Sequence, residues 1–453
     1  MTRVLQAYIN EFHVGTLSAL DNIWRFDYTK AWAEAEHGYD LSPALPRRDG
    51  MGESKAESEA ARKVMPSQHI DGSTDRPVQW YFDNLLPEEA LRSVLAKQAD
   101  VDESDAFGLL AYYGRESAGS LVLLPEGEAA VAAGMRPLPL EQLSARIRAM
   151  PRIPLSAASP KHMSLAGAQH KLALIYQDHA LFEPDGPTAS THILKPQHPD
   201  KASFPASVVN EYFTMRLAHA LGLDVPQVQR LFCPEPVFLT ARFDRVTSHD
   251  GVTERLHVID ACQLLNKDRA FKYSAASVEA LAEVINYLQV PAAGRQWLYD
   301  WIVFNVLIGN GDNHLKNLSF MVSPDRIVIA PCYDLLCTAA YDTEPIAGDL
   351  AEWPNTKLAL RLDGATQNFS QITREVMIAA GRALGLARAT AVRRLDYFLA
   401  RIPAAVSRLR EEIRQENAQC SEDIAWGLAQ DGLLLGVIEH IIVAQMCAQL
   451  EKV

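Results

Sequence analysis

The polar loop at residues 309–317, with the sequence GNGDNHLKN, restricts the fold of this chain most strongly. Residues 294–308 before it have apolar positions at helical spacing and predict a helix that ends at Gly309. Within the loop, four residues separate Asp312 from Asn317, which is the D-x-x-x-x-N spacing of a kinase catalytic loop. In such a loop the Asp orients the attacking hydroxyl and the Asn coordinates magnesium. An ordinary turn rich in Asp, Asn and Gly is the alternative interpretation.

A hairpin predicted after this loop brings in a second acidic residue. Two short strands flank the turn sequence SPDR, so Val322 is expected to pair with Ile327. Counting outward places Asn317 opposite Cys332, and Asp334 lies two residues beyond Cys332 on the same face. Two oxygen ligands beside a general base are typical of a magnesium–phosphate site. The alternative for Asp334 is an N-cap or turn residue.

A lysine and a glutamate upstream are expected to pair. Residues 190–195 predict a strand that ends at Lys195, just before Pro196, and residues 205–221 predict a helix that carries Glu211 on an otherwise apolar face. A buried carboxylate is costly unless it is paired, so Lys195 is the expected partner of Glu211. The alternative for Lys195 is a solvent-exposed strand end.

A loop of small residues precedes these two elements. Residues 164–171 read SLAGAQHK and lead into a predicted strand at residues 172–176, so backbone N–H groups of the loop could approach a phosphate. A plain β-turn is the alternative, and the absence of GxxxxGK[ST] from the sequence excludes a P-loop NTPase.

The order of the segments is the stronger argument. The segments follow the order found in protein kinases: a loop of small residues, a strand with a lysine, a helix with a glutamate, a D-x-x-x-x-N loop and a second Asp.

Length and composition limit the remaining possibilities. The chain has 453 residues, 48% hydrophobic and 22% charged, with a net charge of −13. These values predict two or three globular domains and exclude a basic nucleic-acid coat. The six cysteines form no CxxC pair, so neither a zinc site nor a thioredoxin-like motif is indicated. The longest apolar stretches, residues 301–309 and 433–438, are too short to span a bilayer, and no signal peptide is recognised, so we expect a cytoplasmic protein without membrane association.

Taken together, these motifs resemble the HipA family of serine/threonine kinase toxins from bacterial toxin–antitoxin pairs, over nearly the whole chain. The segments that carry the resemblance are 82–88 (FDNLLPE), 107–110 (FGLL), 114–119 (GRESAG), 164–171 (SLAGAQHK), 191–195 (THILK), 210–212 (NEY), 242–245 (RFDR), 311–317 (GDNHLKN), 333–334 (YD), 357–360 (KLAL) and 402–405 (IPAA). The resemblance implies a kinase that uses Mg-ATP.

On the matched positions, the resemblance implies a role for each candidate residue. Asp312 would be the catalytic base, Lys195 would hold the ATP phosphates beside Glu211, and Asn317 and Asp334 would bind Mg²⁺. The stretch from Leu239 to Phe243 would be the hinge against adenine. The residues expected to contact ATP are Ser164, Ala166, Gly167, Ala168, Gln169, Lys195, Leu239, Ala241, Phe243, His314 and Lys316.

The resemblance also implies regulation and partners. Ser164 would be the autophosphorylated serine, and its phosphorylation is expected to eject the phosphate loop, because a charge of about −2 repels the ATP phosphates; a turn-capping hydroxyl is the alternative. A small helix-turn-helix antitoxin of the HipB type would be the partner and would bring the DNA contacts. Family substrates include an aminoacyl-tRNA synthetase, so blocked translation would follow.

The fold class that the resemblance implies is α+β, a two-lobed protein-kinase-like fold with an N-terminal α/β subdomain and a mostly helical C-terminal lobe. We expect a HipA-like N-terminal subdomain at 1–125, a proline-rich linker at 126–160, the strand-rich ATP-binding part of the N-lobe at 161–245 and the helical lobe with the catalytic and metal loops at 246–453. Two other functions stay open: a small-molecule phosphotransferase, against which Asn310 counts because those enzymes usually have His there, and a non-catalytic corepressor that binds an antitoxin.

Overall fold

The computed structural model describes residues 2–48, 66–127, 132–163, 165, 167, 169–364, 366–425 and 428–452. Its first part is a five-stranded antiparallel sheet with helices on one side. The elements are β1 (Arg3–Ile9), β2 (Phe12–Leu20), β3 (Ile23–Tyr28), α1 (Lys30–Glu34), β4 (Gln68–Ile70), α2 (Pro77–Asp83), α3 (Glu89–Ala99), α4 (Ala106–Tyr113) and β5 (Leu121–Pro125). The strand order is β4-β3-β2-β1-β5.

Alternating side chains explain why this sheet has one covered face. In β1, Leu5, Ala7 and Ile9 are buried, whereas the residues between them are partly exposed, because successive side chains of a strand point to opposite faces. On the covered face the rings of Trp24 and Phe107 meet edge to face, with centroids 5.2 Å apart. The contact packs α4 onto the sheet.

The second part is a six-stranded antiparallel sheet. Its elements are β6 (Gly134–Pro137), α5 (Leu140–Ala149), β7 (Leu172–Gln177), β8 (Ala180–Asp185), β9 (His192–Pro196), α6 (Ser207–Ala220), β10 (Val228–Phe232) and β11 (Pro236–Ala241), in the strand order β10-β11-β9-β7-β8-β6. Here β9 carries Lys195 and α6 carries Glu211. The predicted strand at 172–176 lies within β7.

The expectation of a plain linker at 126–160 needs correction. Within it, β6 pairs with β8 and is part of the six-stranded sheet, and α5 packs Leu143 into the core behind that sheet. The prolines of this region were interpreted as breaks in regular structure. Pro137 instead ends an edge strand, where a residue without an N–H group is tolerated.

The rest of the chain is mostly helical. The elements are β12 (Arg245–Thr247), β13 (Thr253–Arg255), β14 (Val258–Asp260), α7 (Ala261–Leu264), α8 (Val278–Val284), α9 (Pro291–Leu307), β15 (Ser319–Ser323), β16 (Arg326–Ile329), α10 (Glu344–Ala347), α11 (Arg374–Ala383), α12 (Arg388–Leu399), α13 (Ile402–Ala418), α14 (Glu422–Ala425), α15 (Asp431–Val437) and α16 (Ala444–Leu450). In α9, residues 298–307 are all buried, including Asp300, which pairs with Arg394, and Asn305, which donates to the carbonyl oxygen of Trp301.

One helix in the described part of the chain is long and apolar enough to cross a membrane by length and composition alone. It runs over Asp431–Leu450, because a π-helical segment, Ile438–Val443, joins α15 to α16; its mean hydropathy is 1.7, and half of it is buried. Its buried residues Ile438, Ile442 and Met446 belong to the core of the helical lobe, which is the burial of a core helix. No apolar run within it reaches the length needed to span a bilayer, because polar residues such as Glu439, His440 and Gln445 interrupt it.

A buried cluster of charges joins all three parts of the chain. The Glu116 side chain is fully buried. Its Oε2 accepts from the Lys161 ammonium at 2.7 Å and from Arg255 at 3.1 Å, and its Oε1 accepts from Arg245 at 3.0 Å and from Arg242 at 3.3 Å. Burial alone would raise the pKa of Glu116, but these four cations hold that pKa well below its usual range. The segments GRESAG and RFDR, noted separately in the sequence, therefore meet at Glu116.

Replacing Glu116 by Gln is expected to destabilise the fold. The amide keeps the shape of the carboxylate but leaves four buried cations without its charge, and breaking a buried ion pair costs about 3 kcal/mol or more. Urea denaturation of both proteins measures the difference. Glu126→Gln is the control, since Glu126 is exposed at the end of β5. Equal unfolding free energies for Glu116→Gln and wild type would contradict this prediction.

Candidate active site

A cleft of about 300 Å³ lies between the six-stranded sheet and the helical lobe, with one wall from the N-terminal part. A volume of this size is at the small end of the range for ligand pockets. The cleft brings together most of the described residues that the sequence analysis selected, namely Gly167, Gln169, Lys195, Glu211, Ala241, Phe243, Asp312, His314, Lys316, Asn317 and Asp334. Ser164, Ala166 and Ala168 lie outside the described residues.

Lys195 joins two carboxylates at the back of this cleft. Its ammonium donates to Oε1 of Glu211 at 2.6 Å and also to Oδ1 of Asp334. The predicted Lys195–Glu211 pair is confirmed. The structure adds a contact that periodicity could not predict, because Asp334 is 139 residues away from Lys195.

The charges of these three groups depend on one another. Burial raises the pKa of Glu211 to about 7, and Lys195 opposes this rise. Burial also acts to raise the pKa of Asp334, but the positive charges of Lys195 and Lys171 outweigh it and hold that pKa at about 2. Burial would lower the pKa of Lys195, but the two carboxylates outweigh burial and raise it. At neutral pH, Asp334 is therefore an anion beside a lysine cation.

The loop at residues 309–317, here called the Asp312 loop, begins where α9 can no longer continue. Gly309 has a φ of +67°, a conformation that glycine adopts without strain. A Cβ at this position would lie 2.7 Å from Cγ2 of Ile442 and 2.9 Å from Cβ of Ala339. Gly309 therefore allows both the turn and the close packing against the C-terminal helix.

Asparagine side chains hold the Asp312 loop in shape. Asn310 donates from Nδ2 to Oδ1 of Asn305 at 2.7 Å, and its own Oδ1 accepts the N–H of Asp312 at 3.1 Å. Asn317 donates from Nδ2 to the carbonyl oxygen of Asp312 at 2.7 Å. This bond leaves the amide oxygen of Asn317 available as a ligand.

Asp312 itself is half-buried in the cleft, with 43% of its side chain exposed. Loss of surrounding water raises the pKa of Asp312 to about 6; the hydrogen bond from Tyr273 opposes this rise and the charge of Asp334 adds to it. The carboxyl group is thus poised near neutrality, the range in which a general base works best.

Asp334 follows the hairpin of β15 and β16 in the chain and lies in the same cleft. Val322 pairs with Ile327, so the predicted register is confirmed. The ladder ends before it reaches Asn317 and Cys332, because Asn317 is in a turn of 3₁₀-helix and Cys332 donates its N–H to Asp224. Both predicted ligands, Asn317 and Asp334, nevertheless line the cleft.

The small-residue loop is described at Leu165, Gly167 and from Gln169 onward. Gly167 has a φ of +105°, and a Cβ there would lie 2.7 Å from the Lys171 ammonium. The carbonyl oxygen of Gly167 accepts the N–H of Glu88, at 3.4 Å. This part of the loop therefore contacts the N-terminal part of the molecule.

Two residues expected to contact ATP are placed differently. Leu239 lies in the core behind the six-stranded sheet, because alternation along β11 turns its neighbours Phe238 and Thr240 toward the cleft instead. The Lys316 ammonium donates to Asn84 O and Oδ1, both at 2.9 Å, and to Oδ2 of Asp260 at 2.6 Å. An ammonium has three donors, so Lys316 holds the N-terminal part against the Asp312 loop and has none left for a phosphate.

Two further residues of the cleft were missed by the sequence analysis. Tyr273 donates to Oδ1 of Asp312 at 2.8 Å, and Lys272 donates to Oε2 of Glu88 at 2.5 Å. No sequence motif predicts these contacts, because Tyr273 is 39 residues from Asp312 and Lys272 is 184 residues from Glu88. Glu88 belongs to the quoted segment FDNLLPE, to which the sequence analysis attached no role.

The cleft holds a lysine that contacts both a helical glutamate and a second Asp, together with a D-x-x-x-x-N loop. This is the arrangement of a protein-kinase-like phosphotransferase. The fold and the site together therefore assign the chain to this class of protein.

Comparison with known proteins gives the family. Residues 5–124 match the family model of the HipA N-terminal domain, and residues 163–406 match that of the HipA-like C-terminal domain. The serine/threonine-protein kinase toxin HipA of Shewanella oneidensis is 28% identical over 90% of this chain and 89% of its own length. The Sinorhizobium fredii protein Y4mE is 36% identical over 70% of this chain and 72% of its own length. The chain belongs to the HipA family and is an enzyme of the serine/threonine-protein kinase class.

A solved structure agrees with this assignment. The complex of Shewanella oneidensis HipA with HipB and operator DNA contains a chain that superposes with a TM-score of 0.76, at 26% identity, over 98% of this chain and 97% of that one. The two-lobed, mixed α and β, kinase-like fold is confirmed.

Proposed function

We propose that this chain transfers the γ-phosphoryl group of Mg-ATP to a serine or threonine hydroxyl of a protein, as the toxin of a toxin–antitoxin pair. The contact of Lys195 with both Glu211 and Asp334, across the cleft from Asp312, is the observation that carries the proposal. In this arrangement Asp312 accepts the proton of the attacking hydroxyl while Lys195 holds phosphate oxygens.

The residues present fit Mg-ATP. Asp334 offers an ionised carboxylate and Asn317 a free amide oxygen, and oxygen ligands of this kind suit Mg²⁺. Gly167 leaves a cradle that a side chain would fill. Phe243 and Ala241 line the same cleft and would bound the adenine. When bound, Mg-ATP would supply the phosphoryl group and the metal charge that stabilises its transfer.

Regulation and partners extend the proposal. Phosphorylation of Ser164 by the enzyme itself would add about two negative charges to the small-residue loop and would switch the enzyme off by repelling the ATP phosphates. Because the Shewanella HipA structure contains HipB and operator DNA, we propose a HipB-like helix-turn-helix antitoxin as partner, with DNA contacted mainly through it. An aminoacyl-tRNA synthetase as protein substrate and a cytoplasmic location complete the proposal.

Intact mass of the purified protein after incubation with Mg-ATP tests the proposal, with peptide mapping of the modified site. Wild type is expected to gain one phosphate at Ser164, and Asp312→Asn is expected to gain none. Ser164→Ala separates this site from other acceptors, since it should gain no phosphate. An unmodified wild type that binds ATP would overturn the autophosphorylation and favour a small-molecule phosphotransferase or a corepressor.

A further inference from the structure

Tyr273, between α7 and α8, contacts the Asp312 loop with both its hydroxyl and its ring. The hydroxyl donates to Oδ1 of Asp312 at 2.8 Å. The ring meets His314 edge to face, with centroids 4.9 Å apart. The reaction proposed above assigns Tyr273 no task, although the residue lines the cleft beside the expected base.

The backbone next to Tyr273 is tied to the N-terminal part of the molecule. The Lys272 ammonium donates to Oε2 of Glu88 at 2.5 Å and to Oε1 of Glu89 at 2.9 Å. Its carbonyl oxygen accepts the N–H of Leu315, inside the Asp312 loop, at 3.2 Å. Tyr273 is therefore anchored on one side by two carboxylates and on the other by the loop that it contacts.

The hydrogen bond from Tyr273 to Asp312 matters because the carboxyl group of an aspartate rotates easily about its Cβ–Cγ bond. With Oδ1 held by Tyr273, the orientation of the Asp312 carboxylate is fixed and Oδ2 stays available for an acceptor hydroxyl. His314 approaches the same Oδ1 only to 3.8 Å, which is too long for a hydrogen bond. Orientation of a base to within a fraction of an ångström is worth a large factor in rate.

We infer that Tyr273 is a positioning residue for phosphoryl transfer, which orients the Asp312 carboxylate, and that Glu88 anchors Tyr273 through Lys272. The inference rests on the proposed function, because it needs Asp312 as the base. It makes the N-terminal part, which carries Glu88, a contributor to the rate of the chemical step.

Tyr273→Phe tests the inference, because it removes the hydroxyl and keeps the ring. The readout is ADP formation from Mg-ATP by the full chain at varied ATP concentration during the first turnover, in which the acceptor is the chain's own serine; kcat here is the rate constant of that turnover. We expect kcat to fall about ten-fold, with KM for ATP and the thermal midpoint unchanged. Tyr287→Phe is the matched control, since Tyr287 is 36% exposed and outside the cleft; it should keep both constants.

Glu88→Gln, alone and combined with Tyr273→Phe, tests the anchor. Glu88→Gln should lower kcat several-fold in wild type and cause no further loss in the Tyr273→Phe background, because residues that act as one unit are not additive. Additive losses would remove Glu88 from the inference. A kcat of Tyr273→Phe equal to wild type would overturn the positioning role, and so would a joint shift of kcat, KM and thermal midpoint. A wild type that forms no ADP would overturn the proposed function itself.

Discussion

Replacing Asp312 by Asn is expected to reduce phosphoryl transfer about a thousand-fold while ATP binding is kept. Asn has nearly the shape of Asp but cannot accept a proton at working pH. The backbone of the Asp312 loop should not change, because its hydrogen bonds to Asn310 and Asn317 use the main chain of residue 312. Asp312→Asn therefore separates the chemical step from the fold of the loop.

Single-turnover transfer from labelled ATP measures this effect, together with calorimetric titration of the nucleotide. Asp325→Asn is the control, because Asp325 is exposed in the turn between β15 and β16 and its replacement changes the net charge equally. A variant Asp312→Asn that keeps more than about a tenth of the wild-type rate would exclude general-base catalysis by Asp312.

Replacing Lys195 by Met is expected to reduce both activity and stability. Met keeps the unbranched chain but leaves the buried Glu211 and the partly exposed Asp334 without this cation. We expect a loss of about 3 kcal/mol in unfolding free energy, because an uncompensated buried charge is costly. Transfer should fall by a factor of about 10² to 10³, because a preorganised charge for the phosphates is gone.

The double variant Lys195→Met with Glu211→Gln distinguishes the two effects. It removes the unpaired carboxylate on α6, so part of the lost stability should return while activity stays low. Lys201→Met is the control for loss of a surface lysine, because Lys201 is exposed. Urea denaturation and initial rates are the measurements. A Lys195→Met variant as stable as wild type would mean that the ion pair contributes nothing to the fold.

Parts of the site could be predicted because they depend on local patterns. Helical spacing put Glu211 on an apolar face, and the cost of an unpaired charge then required a partner such as Lys195. The turn SPDR gave the register of Val322 and Ile327. The structure places Leu239 and Lys316 differently from expectation, because strand alternation turns Leu239 into the core and because Asn84 and Asp260 take the three donors of Lys316.

The sequence by itself determined the order of the motifs and the family, because each motif is a short local pattern. It also determined the pairing of Lys195 with Glu211, because these residues are only 16 positions apart. Only the tertiary structure decided which distant groups meet. Lys316 donates to Asn84, which is 232 residues away in the chain, and Glu116 pairs with cations that are up to 139 residues away. The physical reason is that a buried charge takes whichever partner the packed elements place beside it, and this packing is set by the whole core.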